Sequence, residues 1–334
     1  IAISEDSPPP AQLPDVQPRE FGRIAQGVNR LNERLWRLTQ TRRKLLMKLL
    51  DVQEEERREL AHLVHADLGQ SLSLIAVNCA QLRAQLKHER NIPYGPSPRE
   101  VLDWVPCGEP GAPTFAFIHG GYWRSLDKSD HSFVAPALRD MGACVVVVNY
   151  ALCPGTPEQA VTIPDIALQM AKATAWVGRN IAEHGGDRGN ITVIGHSAGG
   201  HLAAMLLGCD WKKMGRDLPA GLVRKALSIS GLFDLEPIRK TPFVQGDLRL
   251  TPAHVRMCSP AKWQRPRQGV LYTVAGGDES PEFLRHNRLI HQAWGPKTVP
   301  VCEDLVGLNH FSIVTDLTRP GTRLHALAQQ LIAA

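Results

Sequence analysis

The stretch Ile191-Thr192-Val193-Ile194-Gly195-His196-Ser197-Ala198-Gly199-Gly200-His201-Leu202-Ala203-Ala204 decides the fold. An apolar, β-branched run meets a Gly-x-Ser-x-Gly turn and then a helix-forming segment, so the order is strand, tight turn, helix. The two glycines permit the cramped backbone and close neighbours of such a turn, which lifts the serine hydroxyl above the sheet. The helix that starts there adds free backbone N–H groups and a positive dipole end. Ser197 is therefore a candidate nucleophile, and the amide of Ala198 is a candidate donor to a developing oxyanion.

A second element lies about eighty residues upstream, where Phe115-Ala116-Phe117-Ile118 ends in His119-Gly120-Gly121-Tyr122-Trp123. A glycine pair at a strand end leaves main-chain N–H groups free to point at an oxyanion, with no side chain to block them. A serine nucleophile also needs a base and an acid to orient it, and on such a sheet these come later in the chain. Two loops past strand ends qualify: Gly276-Gly277-Asp278-Glu279-Ser280 and Gly307-Leu308-Asn309-His310-Phe311. His310 is the candidate base, and Asp278 and Glu279 are both candidate acids. His119 is expected to brace the oxyanion loop, His196 to face the pocket or its wall, and His184 and His201 to flank helices. Histidines and carboxylates show no H-x-x-x-H or H-x-E spacing, so no metal and no cofactor are expected.

Beyond these motifs, residues 91–334 alternate short apolar runs with amphipathic stretches, the pattern of an α/β domain with a mostly parallel sheet and helices on both faces. Expected strands are Thr114–Ile118, Ala143–Val148, Ile191–Ile194, Lys225–Ser230, Val270–Ala275 and Val299–Leu305; expected helices include 164–184, about 199–208 and 321–333. Val145-Val146-Val147-Val148 is apolar on both faces, as a covered strand must be. Composition changes near residue 90. Of 25 prolines, five fall by position 18, none between Arg19 and Ile92, and the rest from Pro93 onward. The divisions are thus 1–18, an irregular lead-in with Pro8-Pro9-Pro10; 19–90, one long helix or two helices in line; and 91–334, the α/β domain.

A formal charge of +5, spread over both halves, leaves no nucleic-acid footprint. Seven cysteines without a C-x-x-C pair argue for buried thiols in a reducing, cytoplasmic compartment. No apolar run is long enough to span a membrane. No signal-peptide pattern opens the chain, although it begins at Ile1 rather than Met, which leaves an upstream segment open.

Within the first ninety residues the apolar positions Ile24, Val28, Leu31, Leu35, Leu38, Leu45, Leu49 and Val52 step by fours and threes, and a second stripe runs from Leu60 to Leu86. Such a stripe wants a partner helix, so 21–88 is expected to form a coiled-coil-like homodimer. Glu20-Phe21, Val28-Asn29-Arg30-Leu31 and Gln53-Glu54-Glu55-Glu56-Arg57-Arg58-Glu59-Leu60, leading to His65-Ala66-Asp67-Leu68-Gly69-Gln70, resemble the HAMP linker and dimerisation helix of signalling histidine kinases. That resemblance would make His65 a phosphoacceptor. The acidic neighbour that the family places after its histidine is Ala66 here, and no kinase ATP-binding pattern follows, so the segment is expected to dimerise without chemistry.

Residues 91–334 resemble the kynurenine formamidase (arylformamidase) branch of the α/β-hydrolases. The resemblance rests on Ile92-Pro93-Tyr94-Gly95, His119-Gly120-Gly121-Tyr122-Trp123, Asn149-Tyr150-Ala151-Leu152-Cys153-Pro154, Gly195-His196-Ser197-Ala198-Gly199-Gly200-His201, Ser230-Gly231-Leu232-Phe233-Asp234-Leu235, Ser280-Pro281-Glu282-Phe283 and Asn309-His310-Phe311-Ser312. It implies an α/β-hydrolase fold, a Ser197–His310–Glu279 triad with Asp278 as the one-residue-shift alternative, and hydrolysis of N-formylkynurenine to kynurenine and formate. A bulky aryl leaving group suits Tyr122, Trp123 and Phe311 as pocket walls, and the expected partners are this small molecule and, through 21–88, a second copy of the chain. A carboxylesterase for small acyl or aryl esters is the rival enzyme, and a signalling or scaffold protein with an inert hydrolase domain is the rival from another class.

Overall fold

The computed structural model describes residues 26, 28–42, 44 and 88–333. The chain divides into two compact units, Ile1–Ser73 and Leu74–Ala334. In the first unit, residues 28–42 form helix α1. Val28, Leu31, Leu35 and Leu38 lie exposed along it, and the Glu33–Arg37 pair one turn apart is equally exposed. The lead-in 1–18, most of 19–90, the second stripe and His65 lie outside the described residues.

The second unit is built on one sheet of eight strands in the order β1-β2-β4-β3-β5-β6-β7-β8. The strands are β1 Glu89–Pro93, β2 Val101–Val105, β3 Ala112–Ile118, β4 Cys144–Val148, β5 Gly186–His196, β6 Lys225–Ile229, β7 Val270–Gly276 and β8 Val301–Leu305. The pairs β1–β2 and β2–β4 are antiparallel and all others parallel. Six of the eight coincide with the expected runs, with ends that differ by up to a few residues. The two that periodicity did not flag, β1 and β2, are the antiparallel pair at one edge. Their sequences, Glu-Arg-Asn-Ile-Pro and Val-Leu-Asp-Trp-Val, carry charge and proline where a covered strand would be apolar.

Strand alternation assigns each face its own core. Ala116, Ile118, Val146 and Val148 point into one apolar cluster, and Phe115, Phe117, Val145 and Val147 into the other. The helices that cover the faces are α2 Ala135–Asp140, α3 Ile163–Asn180, α4 Ala198–Leu207, α5 Trp211–Met214, α6 Glu236–Arg239, α7 Pro242–Leu248, α8 Pro252–Met257, α9 Pro281–Trp294, α10 Ser312–Asp316 and α11 Arg323–Ala333. The first face buries Ile166, Met170, Ala173 and Val177 of α3 with Leu202, Ala203 and Leu206 of α4. The second buries Leu138, Ile313, Leu324, Leu327 and Leu331 of α2, α10 and α11. Each such Leu, Ile or Val contributes about 1.5–3 kcal/mol over its exposed state, which is why a sheet with two apolar faces needs both layers. Helix α3 starts where the Asp165 carboxylate accepts the N–H of Thr162 at 2.9 Å, with Pro164 in its first turn.

We propose that the exposed leucines of α1 are the start of the dimer seam expected for 21–88. Light scattering should give twice the chain mass for the intact protein. Replacing Leu31, Leu35 and Leu38 together by Gln should return the mass of one chain; an unchanged mass in both proteins would refute the seam.

Candidate active site

Strand β5 ends at His196 and helix α4 begins at Ala198, so Ser197 makes the whole turn alone. Its φ of 57° and ψ of −117° lie in a sparsely populated region that costs a non-glycine residue about 1–3 kcal/mol. The turn is held on both sides: Ser197 N–H donates to the Ile229 carbonyl at 2.8 Å, and the Ser197 carbonyl accepts from His201 N–H at 3.1 Å. The glycines of the motif are dictated by contact. A Cβ on Gly199 would stand 2.0 Å from the Ile118 carbonyl oxygen, and one on Gly195 would stand 2.0 Å from that of Gly199. Helix α4 can therefore begin against the end of β3 only because these positions lack side chains.

Above this turn the structure brings together residues from three strand ends. His310 Nε2 lies 3.0 Å from Ser197 Oγ, and His310 Nδ1 lies 2.6 Å from Glu279 Oε2. The carboxylate only accepts, so Nδ1 carries the proton and Nε2 is free to accept the serine proton. Glu279 is buried, and its other oxygen accepts from the Ser230 hydroxyl at 2.5 Å and from Gly276 N–H at 2.7 Å. Both oxygens of the carboxylate are thus hydrogen-bonded, as its burial requires. Asp278 is exposed, and His310 Nδ1 is taken by Glu279 instead; the Asp278 N–H donates to the Leu308 carbonyl at 3.0 Å, which ties the two loops together. Ser230, with φ of 52°, was not among the residues read from sequence as site residues.

The oxyanion loop is shaped from behind. The Gly120 carbonyl accepts from the Tyr150 hydroxyl at 3.0 Å and lies 2.8 Å from His119 Nδ1, and the Gly121 carbonyl accepts from Arg124 and Ser125 N–H at 3.0 Å each. In a trans peptide the next N–H points opposite to the carbonyl. Pinning those two oxygens therefore turns the amides of Gly121 and Tyr122 to the opposite side. Gly120 sits so close that a Cβ there would lie 3.0 Å from Ser197 Cβ. Gly121, at φ 104°, would put a Cβ 2.2 Å from the Ser125 carbonyl oxygen. The Asn149-Tyr150 pair completes the brace: Tyr150 stacks on His119 with ring centres 4.2 Å apart, and Asn149 Oδ1 lies 3.1 Å from His119 Nε2.

A family model described as the alpha/beta hydrolase fold matches residues 115–262. Kynurenine formamidase from Danio rerio is 31% identical over 251 residues, covering 72% of this chain and 81% of that protein. The chain belongs to the α/β-hydrolase family. Esterase LipQ from Mycobacterium tuberculosis is 38% identical over 121 residues, covering 34% of this chain and 28% of its own. A crystal structure from Silicibacter sp. TM1040, described as a candidate thioesterase, superimposes with a TM-score of 0.66 at 28% identity, covering 78% of this chain and 92% of that one.

The mouth of the hydrolase site is aromatic. Phe283 packs 4.4 Å from the His310 ring, Phe311 stands edge-on to it at 5.6 Å, and Tyr122 meets Phe243 edge-on at 6.5 Å. Phe243, with the Arg124 guanidinium 4.3 Å over its ring, is 69% exposed, and Phe311 is 48% exposed, so both present apolar surface to solvent. Trp123 differs from the sequence expectation. Its ring is fully buried against His201 in the core, so it anchors the oxyanion loop and forms no pocket wall. A separate surface cavity of ≈ 760 Å³, lined by Arg265, Arg267 and Lys297, lies where β7 begins and holds none of these residues. Among the described residues no group of three or more His, Cys, Asp or Glu side chains is arranged to hold a metal ion, and no helix is long and apolar enough to cross a membrane.

Behind the site the hydrolase buries several neutral histidines. Burial pushes His119 and His201 down to about 4 and His131 down to about 3, and it holds His196 well below the usual imidazole range, with His310 adding to that depression. In the unfolded chain these rings take up protons near pH 6.5. Between that value and about 4 the unfolded state binds more protons than the folded one, so stability is full above pH 6.5 and falls as pH drops through this window. Each such ring removes about 2 kcal/mol at pH 5. Thermal melts at pH 7, 6 and 5 should therefore show a steadily falling midpoint; a flat midpoint would mean the rings are not buried neutral.

The two candidate acids are separated by substitution. Glu279→Gln should lower kcat by 10³-fold or more, since the amide no longer stabilises the imidazolium, while Asp278→Asn should stay within threefold of wild type. Hydrolysis of a p-nitrophenyl ester measures both, and the reverse ranking would displace Glu279.

Proposed function

We propose that the protein is a serine hydrolase that cleaves N-formyl amides, with N-formyl-L-kynurenine as substrate and L-kynurenine and formate as products. The relationship to kynurenine formamidase over four-fifths of that protein's length carries this reading. The aromatic mouth supports it, because the leaving group is an aryl amine and the acyl group is the smallest there is.

The steps follow from the donors and acceptors in place. Ser197 Oγ attacks the formyl carbon as His310 Nε2 takes its proton, and the carbonyl oxygen becomes an oxyanion facing the amides of Gly121, Tyr122 and Ala198. Glu279 stabilises the imidazolium. His310 then gives its proton to the departing nitrogen, the C–N bond breaks, and the free amine leaves a formyl ester on Ser197. Water attacks that ester, its proton passes to His310 and on to Ser197 Oγ, and formate is released.

A carboxylesterase is the second reading, favoured by the esterase among the relatives. An inert domain in a signalling protein has no support in a site whose nucleophile, base and acid are already hydrogen-bonded in a row. The ratio of kcat/KM for N-formyl-L-kynurenine to that for p-nitrophenyl acetate decides between the enzymes. The formamidase reading expects the formyl amide to be favoured at least tenfold and Ser197→Ala to lose roughly 10⁴-fold on both substrates. Preference for the ester would support the carboxylesterase, and turnover by Ser197→Ala within tenfold of wild type would remove Ser197 from the mechanism.

A further inference from the structure

We propose that His196 is a positioning residue that fixes the base His310 relative to the nucleophile, an inference that rests on reading Ser197 and His310 in those roles. His196 Nε2 lies 2.8 Å from the His310 carbonyl oxygen. A carbonyl only accepts, so Nε2 carries the proton and donates. In the neutral ring Nδ1 is then a bare acceptor, and it meets no partner among the described residues. The hydrogen bond through Nε2 is the one polar contact this buried side chain makes there.

The linkage is short and closed. Residue 196 is covalently joined to Ser197, its side chain holds the main chain of residue 310, and the side chain of residue 310 returns to Ser197 Oγ at 3.0 Å. The loop that carries His310 is tied at Leu308 by the Asp278 N–H at 3.0 Å, and the bond from His196 holds it at residue 310 itself. It leaves β8 at Leu305, turns at Gly307 with φ 77°, and is flanked by Val306, 92% exposed, and by exposed Phe311. Glu279 grips only the imidazole, which can rotate, whereas the bond from His196 holds the backbone from which that imidazole hangs. His196 itself has little room to move. A Cβ on Gly120 would lie 3.4 Å from its Nδ1 and 3.1 Å from its carbonyl oxygen, and the His310 ring stands 4.8 Å away. A neutral donor also suits the place, since a cationic side chain so near His310 would oppose the positive charge that the base takes up.

The substitutions His196→Phe and His196→Gln separate this role from packing. Phenylalanine keeps a ring of similar size without the donor, and glutamine places an N–H near the position of Nε2. With p-nitrophenyl acetate as substrate, His196→Phe should lower kcat by roughly 10–100-fold with KM within about twofold, as displacement of a base by a fraction of an ångström to 1 Å implies. His196→Gln should recover to within about fivefold of wild type. A kcat for His196→Phe within twofold of wild type, or equal losses in both variants when both melt as wild type does, would overturn the proposal. Should the phenylalanine variant fail to fold, long-range ¹⁵N–¹H spectra of the wild-type enzyme decide it. A proton on Nε2 of His196 with Nδ1 bare supports the proposal, and a proton on Nδ1 overturns it. The ester keeps the two readings distinct. The expected His196 pattern on an enzyme that ignores N-formyl-L-kynurenine would defeat the formamidase reading alone, and full activity in Ser197→Ala would defeat the site assignment whatever the His196 variants do.

Discussion

The whole site depends on one close approach, the start of helix α4 against the end of strand β3. The Ile118 carbonyl occupies the space where residue 199 would carry a Cβ, so that residue must be glycine. Given that contact, the backbone at Ser197 is driven to positive φ, its hydroxyl leaves the sheet, and the first amides of α4 face the same space as the loop that follows β3. The strain of the turn is offset by burial around it. Ile194, Ala198, Leu202 and Ala203 are all fully buried, so helix and strand cannot drift apart to relieve it.

Around this turn, polar groups are arranged to leave selected N–H groups unpaired while satisfying their neighbours. Carbonyls of the loop after β3 are held by the Tyr150 hydroxyl, with His119 beside it, and by the main-chain amides of Arg124 and Ser125, and this turns the opposing N–H groups to the other side. His119, beside that loop, and His196, on the His310 carbonyl, stay neutral because burial makes charging them costly. That is useful next to a base that must itself become an imidazolium, since no fixed positive charge competes with it. The same choice makes the fold sensitive to acid.

Ser197, His310 and the glycine pair were legible in the sequence because their chemistry is local: a strand, a forced turn and a helix leave their marks within a dozen residues. Glu279 was legible only as one of two adjacent carboxylates until a family resemblance chose between them. The bond to His310 depends on how β7 and β8 lie side by side, and no local pattern encodes that. Ser230 was missed for the same reason, since its hydroxyl reaches Glu279 from the end of β6. Strand β2 escaped notice because Asp103 interrupts its apolar run; that carboxylate is satisfied 2.8 Å from Lys128 and by the Asn91 N–H, partners far away in sequence or on another strand. Trp123 reads as a pocket wall because an aryl leaving group suits aromatic walls, yet Tyr122 and Trp123 both have positive φ, and the second ring lies fully buried in the core.

The central claim is that a formyl group passes through Ser197. Rapid quenching of the enzyme with N-formyl-L-kynurenine, followed by intact-mass and peptide mass spectrometry, looks for that species directly. The account predicts a transient gain of one formyl group, confined to the peptide that bears Ser197 and absent from Ser197→Ala. Steady release of kynurenine with no covalent adduct at any quench time, or an adduct on another residue, would contradict it.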